Sequence, residues 1–418
     1  MRALLAFPGS RGDAQPGILL ARALIARGHE VTLALAPNLI GLATGHGVSA
    51  VAFGCDSAAL LRAQRADARF RSRDPRVRLR ALLDLQRRGV PEALADLRRL
   101  APGHDVVVAG MAGEEPAAVV AREAGLPSAA IHFFPIQPNT VVPVVPARWA
   151  ARMPGSVHRA GWALLARARA ASLAPILPAG QQTARLRIQA YDPALFPGLS
   201  AEVPGPFTGF PLDVDGFGAA ATDSAANDDA GGRALRQWLA AGAAPIYVGF
   251  GSMDVGDPAE FVTMVRAVCA RRGRRLLLAA GWAAIAPGIT RDLAVAAQVD
   301  HAEVLPRCVA VVHHGGAGTT AAALRAGVPQ VICSVQADQP YWGQALSRLG
   351  VAATLPAGAL TEARLHALLD TVSAAEVRRR AATQAARLRT DGVARAAVAV
   401  ESLVPVGADR IGADGRLS

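Results

Sequence analysis

The segment 309–320 has the residue types of an anion-binding turn. An apolar run ends in His313 and His314, three glycines follow within four residues, and Thr319 and Thr320 lead into an alanine-rich stretch. Glycines permit a close backbone approach, and a helix N-terminus offers unpaired N–H groups and a partial positive charge. The pattern predicts a diphosphate site, although an ordinary helix start with two polar strand-end histidines also fits it.

A second polar group follows the next apolar run, Gln330 to Val335. Asp338 and Gln339 come directly after it, in Gln336-Ala-Asp-Gln-Pro340. A carboxylate and an amide together accept and donate hydrogen bonds to vicinal hydroxyls, which a sugar ring presents. Ligands of open parallel sheets bind at the carboxyl ends of the strands, where these residues would lie. Asp338 taken alone also suits a helix N-cap.

Asp13 is the candidate general base. It lies in the glycine-rich stretch Gly9-Ser-Arg-Gly-Asp13, shortly after the apolar run Ala3 to Phe7. A carboxylate that takes the proton of an attacking hydroxyl contributes about 10²- to 10⁴-fold in rate. The alternative is that Asp13 caps a helix beginning near Gln15.

Alternating strand and helix patterns must position these residues. The first half starts as a βαβ unit, with a helix pattern over Gly17 to Arg27, and a Pro-, Gly-, Ala- and Asp-rich stretch separates the halves. The pattern predicts a parallel sheet in each half. The predicted strands are Ala3–Phe7, Val31–Ala36, Ser49–Phe53, Val106–Ala109, Ser128–Phe133, Ile246–Phe250, Leu276–Ala279, Val309–His313 and Gln330–Val335.

Composition narrows the class of protein. The net charge is +11, but all 44 basic residues are arginine, so the charge indicates a composition bias more than a nucleic-acid partner. Eight arginines lie between Arg62 and Arg80 with only Phe70 among them for stacking, which favours a solvated face. Four scattered cysteines argue against disulfides and zinc, and the apolar runs are too short for a membrane span. We therefore expect a cytoplasmic protein without stable membrane insertion.

At this point the residues resemble a known family. The run from His313 through Gln339 resembles the donor-binding signature of the large glycosyltransferase family 1 with the GT-B fold. Gly9-Ser-Arg-Gly-Asp-Ala-Gln-Pro16 is similar to the opening motif of its bacterial branch, which includes glycopeptide-antibiotic, glycopeptidolipid and sterol glycosyltransferases. Gly249-Phe-Gly-Ser252 extends the resemblance over nearly the whole chain, while the region from about 55 to 199 matches weakly.

The resemblance implies an α/β protein of GT-B fold, with two Rossmann-like domains whose parallel sheets face each other across a cleft. It implies an acceptor-binding domain over 1–202, a linker over 203–232 and a nucleotide-sugar-binding domain over 233–385. A C-terminal helix over 386–406 would pack back toward the first domain, before a tail over 407–418.

Carried over residue by residue, the resemblance assigns each site residue a role. Asp13 would be the general base of an inverting transfer without a metal or other cofactor, because His314 and the helix N-terminus would supply the charge stabilisation. The base of the donor would lie along 299–304. The implied contacts are Ser10, Arg11, Ser252, His314, Gly316, Gly318 and Thr319 for the diphosphate, Asp338 and Gln339 for the sugar, and Val304 and Trp282 for the base.

The two substrates are less well defined. Where many members carry a glutamate that grips both ribose hydroxyls, this chain has Ala322, which makes thymidine-diphosphate deoxysugars as plausible as uridine donors. The apolar stretch Ile131–Ile136 predicts a lipophilic small-molecule acceptor, with His132 and Phe133 as contacts. The sequence leaves the oligomeric state open.

Two other functions stay open. One is a nucleotide-sugar epimerase of the same fold, which needs further acids around the sugar; Glu114 and Glu115 are the available pair. The other is a non-catalytic nucleotide-sugar-binding auxiliary protein, against which the complete set of Asp13, His314 and Asp338 argues.

Overall fold

The computed structural model describes residues 1–72, 74–147, 149–178, 183–212, 230–251, 257–281, 285–297 and 299–404. Within them the chain forms two α/β halves, each built around one sheet. This confirms the predicted fold class. Most of the predicted linker and the predicted tail lie outside the described residues.

The first half contains a six-stranded sheet. Its strands are β1 (Arg2–Phe7), β2 (Glu30–Leu35), β3 (Ala50–Ala52), β4 (Val106–Gly110), β5 (Ser128–His132) and β6 (Leu186–Gln189). Its helices are α1 (Arg11–Ala26), α2 (Ile40–Gly45), α3 (Ser57–Ala66), α4 (Pro75–Arg87), α5 (Val90–Leu100), α6 (Glu114–Glu123) and α7 (Gly155–Leu173).

The strand order is β3-β2-β1-β4-β5-β6 and every pair is parallel. The chain therefore reverses its direction of winding between β1 and β4, and ligands of such sheets bind at that switch point. Phe7 closes β1 there between two glycines: a Cβ at Gly17 would lie 2.5 Å from its ring, and one at Gly110 would lie 2.8 Å from it. This close packing seats the start of α1 directly beyond β1.

The second half contains a seven-stranded sheet. Its strands are β7 (Ile246–Gly249), β8 (Leu276–Ala279), β9 (Gly288–Ile289), β10 (Leu293–Ala296), β11 (Ala310–His313), β12 (Gln330–Ser334) and β13 (Ala352–Pro356). Its helices are α8 (Ala230–Ala240), α9 (Pro258–Arg271), α10 (His301–Val304), α11 (Ala317–Arg325), α12 (Gln339–Arg348), α13 (Glu362–Ser373), α14 (Ala375–Arg387) and α15 (Gly392–Glu401).

The order of this sheet is β13-β12-β11-β7-β8-β10-β9, with only the β9 edge antiparallel. The switch point lies between β7 and β11, so the loops after these two strands meet there. His314 follows β11, and Gly249 ends β7. The predicted anion-binding turn thus lies where this topology places ligands.

Four strands were not predicted from the sequence: β6, β9, β10 and β13. Each has five residues or fewer, and none is buried along its whole length. Such segments become strands by pairing with a neighbour, because their own apolar pattern is too short to specify one. By contrast β4 is buried along its whole length, as expected for a strand covered by helices on both faces.

The two halves contact each other through an aromatic cluster. The ring centroids of Phe134 and Tyr341 are 4.8 Å apart, and those of Phe134 and Trp342 are 5.9 Å apart. At the other end, α15 packs on α1, and Glu401 forms a 2.6 Å ion pair with Arg27. No helix among the described residues is long and apolar enough to cross a membrane.

Candidate active site

Asp13 lies in the first turn of α1, at the switch point of the first sheet. The helix begins at Arg11 with Ser10 as its N-cap. The sequence pattern predicted a helix only from Gly17, six residues later. The Asp13 Oδ2 atom accepts hydrogen bonds from the Ser10 backbone N–H at 3.0 Å and from the Ser10 hydroxyl at 3.3 Å. Asp13 therefore does take part in capping, but as the acid that reaches back to the N-cap rather than as the N-cap itself.

Only one oxygen of the Asp13 carboxylate is used in this way. Its Oδ1 atom accepts no hydrogen bond from the described residues. Loss of water around the carboxylate raises the pKa of Asp13, and the hydrogen bonds from Ser10 partly offset that rise. A carboxylate with one anchored and one available oxygen, and with a raised pKa, has the properties of a positioned general base.

The turn after β11 is held by His313. Its Nδ1 accepts the Gly315 N–H at 3.1 Å, and its Nε2 lies 2.9 Å from Gln330 Oε1, which fixes Nε2 as the protonated nitrogen. Burial lowers the pKa of His313 to about 3, so it is neutral at physiological pH. Gly315 has φ = 92°, which a side chain would strain. His313 is thus a structural residue of the turn.

His314 is the histidine that lies at the predicted diphosphate site. Its ring fits between two glycines: a Cβ at Gly316 would lie 2.5 Å from its Nε2, and one at Gly251 would lie 3.3 Å from its Cε1. Its Nδ1 is buried without a hydrogen-bond partner among the described residues. Burial lowers the pKa of His314 to about 4, against the opposing effect of a hydrogen bond with the Gly249 carbonyl.

This pKa corrects one expectation from the sequence. A neutral imidazole cannot supply positive charge, so His314 acts as an N–H donor. The remaining positive potential of the turn comes from the N-terminus of α11, where Gly316 is the N-cap and no side chain caps the helix. Gly318 is exposed and has open space around its Cα, while Thr319 is partly exposed beside it.

Asp338 is the N-cap of α12 at the carboxyl end of β12. Its side chain does not cap that helix; instead its Oδ2 accepts a hydrogen bond from Trp342 Nε1 at 2.8 Å. Burial raises the pKa of Asp338 to about 6, the Trp342 hydrogen bond opposes that rise, and the charge of Asp13 adds to it. The influence of Asp13 means that the two carboxylates lie close enough for their charges to interact.

Gln339 is buried, and its side chain shapes the loop before it. Its Oε1 accepts the N–H groups of Val335 at 2.8 Å and Gln336 at 3.1 Å. These bonds hold the turn at Ala337, which has φ = 55°, an uncommon value for a residue with a side chain. The amide oxygen of Gln339 is therefore committed to the protein.

Two polar residues of the site were not singled out from the sequence. Tyr247 on β7 and His301 at the start of α10 are joined by a 2.9 Å hydrogen bond between Tyr247 Oη and His301 Nε2. Burial and the charge of Arg11 lower the pKa of His301 to about 4. Arg11 belongs to the first half, so its guanidinium acts across the cleft. Neither residue belongs to a motif and they are 54 residues apart, so the sequence did not indicate that they pair.

Val304 does not lie as predicted. Its side chain is 2% exposed and belongs to a core cluster with Leu305 and Val311, so it cannot contact a base. Within the predicted stretch 299–304, His301 is the residue near the other site groups. Ser252 and Trp282, the remaining donor candidates, lie outside the described residues.

His132 and Phe133 do not lie as expected for acceptor contacts either. His132 is fully buried, and its Nε2 pairs with Glu114 Oε2 at 2.8 Å, while Arg187 pairs with the other carboxylate oxygen at 2.7 Å. His132 and Arg187 hold the pKa of Glu114 at about 2, despite its burial. Phe133 is 7% exposed. These residues form part of the scaffold, because strand ends near a cleft can still be covered by the following loop.

Two hydrogen bonds close the cleft on the acceptor side. Gln64 Nε2 of α3 donates to Gln336 Oε1 at 2.7 Å, and Tyr341 Oη donates to the Val144 carbonyl at 2.8 Å. Both C-terminal partners lie within three residues of Asp338. The segments around Gln64 and Val144 therefore border the predicted sugar site.

Replacing Asp338 should change how stability depends on pH. In the folded protein the pKa of the Asp338 carboxyl is about 6, above its usual value. Such a carboxyl favours folding below about pH 4, and this contribution to stability is lost as the pH rises through 6. Asp338→Asn keeps an acceptor for Trp342 and lacks the charge, so it should stabilise the ligand-free protein by about 2 kcal/mol at neutral pH and by little near pH 4.

Urea unfolding of both proteins across this pH range measures the difference. Asp391→Asn, an exposed substitution on the second half, is the matched control. A gain that is equal at all pH values would contradict the burial of a charged Asp338.

Comparison with known proteins identifies the family. The family model described as "Erythromycin biosynthesis protein CIII-like, C-terminal domain" matches residues 283–400. An uncharacterized glycosyltransferase of Mycobacterium tuberculosis is 38% identical over 408 residues, which cover 93% of this chain and 95% of that protein.

Two further relatives are more distant. The vancomycin aglycone glucosyltransferase of Amycolatopsis orientalis is 40% identical over 164 residues, or 39% of this chain and 40% of that protein. The structure of the glycosyltransferase SsfS6 of Streptomyces sp. SF2575, complexed with thymidine diphosphate, has a TM-score of 0.63 and 22% identity, covering 96% of this chain and 99% of that one. Since near-complete coverage at 38% identity accompanies the observed fold, the chain belongs to the family 1-like glycosyltransferases of the GT-B fold.

Proposed function

We propose that this glycosyltransferase moves a sugar from a nucleoside diphosphate donor to a hydroxyl of a lipophilic small molecule, with inversion and without a metal. One observation carries the proposal. Asp13, with one carboxylate oxygen anchored by Ser10, lies close enough to Asp338 for their charges to interact, and the uncapped N-terminus of α11 lies at the switch point of the second sheet. A base, a sugar-binding acid and an anion site thus converge.

The donor would bind along the ends of β7, β11 and β12. The diphosphate oxygens would accept hydrogen bonds from the N-terminus of α11, from His314 and from the Thr319 hydroxyl, with Arg11 supplying charge from the first half. Ser10, Gly316 and Gly318 complete the proposed diphosphate contacts. Asp338 would accept hydrogen bonds from sugar hydroxyls, and Gln339 is the second proposed sugar contact.

The reaction follows from this placement. As the acceptor oxygen forms a bond to the anomeric carbon, its proton passes to Asp13 Oδ1 and the bond to the diphosphate breaks on the opposite face. The departing oxygen gains negative charge, which α11 and Arg11 would stabilise. Attack and departure on opposite faces invert the anomeric configuration.

The epimerase alternative loses its candidate acids. Glu114 is buried in an ion-pair network with His132 and Arg187, and Glu115 pairs with Arg169 at 2.7 Å. Neither carboxylate is available to a sugar at the Asp13–Asp338 position. Transfer to an acceptor therefore has better support than epimerisation.

Calorimetric titration with thymidine diphosphate and uridine diphosphate tests the donor class. SsfS6 is known in complex with thymidine diphosphate, and Ala322 on α11 leaves the ribose without a carboxylate grip. We expect thymidine diphosphate to bind at least as tightly as uridine diphosphate. No binding of either compound would contradict the proposed function.

Ala322→Glu should shift this preference. Ala322 is partly buried on α11 and packs against the core cluster that contains Val304. A carboxylate there would gain a bidentate contact with the two ribose hydroxyls of uridine diphosphate, but only one with deoxyribose. We expect the ratio of the two Kd values to move toward uridine diphosphate by about fivefold, the worth of one extra hydrogen bond.

Ala322→Gln is the matched control, because it adds similar volume without charge. An unchanged ratio in the glutamate variant would place the ribose elsewhere.

Metal removal should leave transfer intact. The proposal assigns charge stabilisation to Arg11 and the N-terminus of α11, with His314 as an N–H donor, rather than to a divalent cation. We expect initial rates in excess EDTA to match those in buffer with Mg²⁺. Loss of activity in EDTA, with recovery on adding Mg²⁺, would contradict this part of the proposal.

A further inference from the structure

A continuous segment of the first half exposes large apolar side chains. Residues 145–147 and 149–164 belong to the loop before α7 and to the first half of that helix. Trp149 is 60% exposed and Leu164 is 67% exposed, which makes them the two most exposed large apolar residues of the described chain. Further members are Val145, Met153 and Val157 on this segment and Leu82 on the neighbouring α4. We call this surface the α4–α7 face.

The packing of α7 explains why these side chains point outward. A Cβ at Gly155 would lie 2.7 Å from Thr140, and one at Gly161 would lie 2.7 Å from Val144, so the backbone of the 140–144 segment runs close along the inner side of the helix. Trp162 is buried on that side and donates its Nε1–H to the Val142 carbonyl. Val157 and Leu164, seven residues apart, share the opposite side, because seven residues make two helical turns.

Unpaired arginines lie on the same elements as these apolar residues. None of five exposed arginines here forms an ion pair with another described residue. Of the two acids on or beside α4, Asp84 is already paired with Arg69 at 2.7 Å. The face is therefore both apolar and strongly positive. These arginines are Arg76, Arg78 and Arg80 on α4, Arg152 before α7, and Arg167 on α7.

The face lies beside the cleft. The Val144 carbonyl, adjacent to Val145, accepts the hydrogen bond from Tyr341, three residues from Asp338. Anything that docks on the α4–α7 face is therefore placed next to the entrance of the proposed acceptor site.

We propose that the α4–α7 face docks on the surface of an anionic lipid bilayer. Exposed Trp, Leu and Met side chains can enter the headgroup region, and arginines around them are attracted by the negative surface potential. A second copy of the chain would bring two positive faces together, which is repulsive. A nucleic acid would need stacking aromatics, and here Trp149 is accompanied by aliphatic side chains. This goes beyond the proposed function and does not rest on it.

Sedimentation with lipid vesicles tests the proposal on the intact protein. We expect binding to vesicles of mixed phosphatidylcholine and phosphatidylglycerol, little binding to phosphatidylcholine alone, and release at high salt. The triple variant Arg76→Gln, Arg78→Gln, Arg80→Gln and the double variant Trp149→Ser, Leu164→Ser should each weaken vesicle binding by about tenfold or more.

Matched variants elsewhere separate the face from bulk properties. Ile25→Ser with Val398→Ser removes two other exposed apolar residues, and Arg122→Gln removes an exposed charge on α6; both should bind like the unmodified protein. Circular dichroism verifies that each variant is folded. Equal binding to both vesicle types, or binding that the α4–α7 variants leave unchanged, would overturn the proposal, as would self-association through this face in ultracentrifugation.

Discussion

Asp13→Asn is expected to reduce kcat for sugar transfer by about 10²- to 10⁴-fold, while the affinity for the nucleoside diphosphate stays within about twofold. Asparagine can still accept the hydrogen bond from the Ser10 backbone N–H, so the start of α1 should keep its geometry. What it loses is a basic oxygen directed at the cleft. Initial rates of sugar transfer at saturating substrate give kcat. Calorimetric titration with thymidine diphosphate gives the affinity for the nucleoside diphosphate.

The pH profile provides an independent readout. A base must be ionised to work, and the pKa of Asp13 is raised by burial. The rate should therefore fall as the pH drops through this raised pKa, and the Asp13→Asn variant should lose that acidic limb. The exposed Asp84→Asn variant serves as the control. Unchanged turnover in Asp13→Asn would show that Asp13 is only a capping residue.

His314→Ala is expected to weaken binding of the nucleoside diphosphate by about 10- to 100-fold, because a hydrogen bond to a charged group contributes about 1.5–3 kcal/mol. The ring lies between Gly251 and Gly316, and its Nδ1 is buried without a partner among the described residues. A hydrogen bond with a phosphate oxygen of the ligand would give the imidazole ring a polar partner. Titration with the nucleoside diphosphate measures the loss directly.

The effect should not depend on pH between about 6 and 8, since the pKa of His314 is about 4 and the ring stays neutral in this range. His366→Ala on α13 is the matched control, because His366 is an exposed histidine of the same half. Retained affinity in His314→Ala would mean that the diphosphate binds at another helix start.

The strands that the sequence predicted accurately are those with a strong local residue pattern. The apolar runs that became β1, β4, β8, β11 and β12 are bounded by glycine-rich or polar turns, and their ends were placed to within one or two residues. The same turns contain Asp13, His314 and Asp338, because the carboxyl ends of parallel strands are where such folds place ligands. For these residues the local sequence pattern and the sheet topology therefore indicate the same position.

The predictions that were wrong depend on contacts between residues that are far apart in the sequence. His132 looked accessible at a strand end, but Glu114 and Arg187, 18 and 55 residues away, cover it in a buried network. The Val304 side chain is likewise committed to the core. The pairing of Tyr247 with His301 spans 54 residues. No local pattern reports which face of a short element becomes buried.

The most direct test of the central claim is to incubate the protein with thymidine- and uridine-diphosphate sugars and a panel of lipophilic hydroxyl acceptors, and to analyse the products by mass spectrometry and NMR. We predict a new glycoside with the mass of acceptor plus sugar and an inverted anomeric configuration, absent with Asp13→Asn. Recovery of an epimerised sugar nucleotide without any glycoside, or a glycoside of retained configuration, would contradict the account.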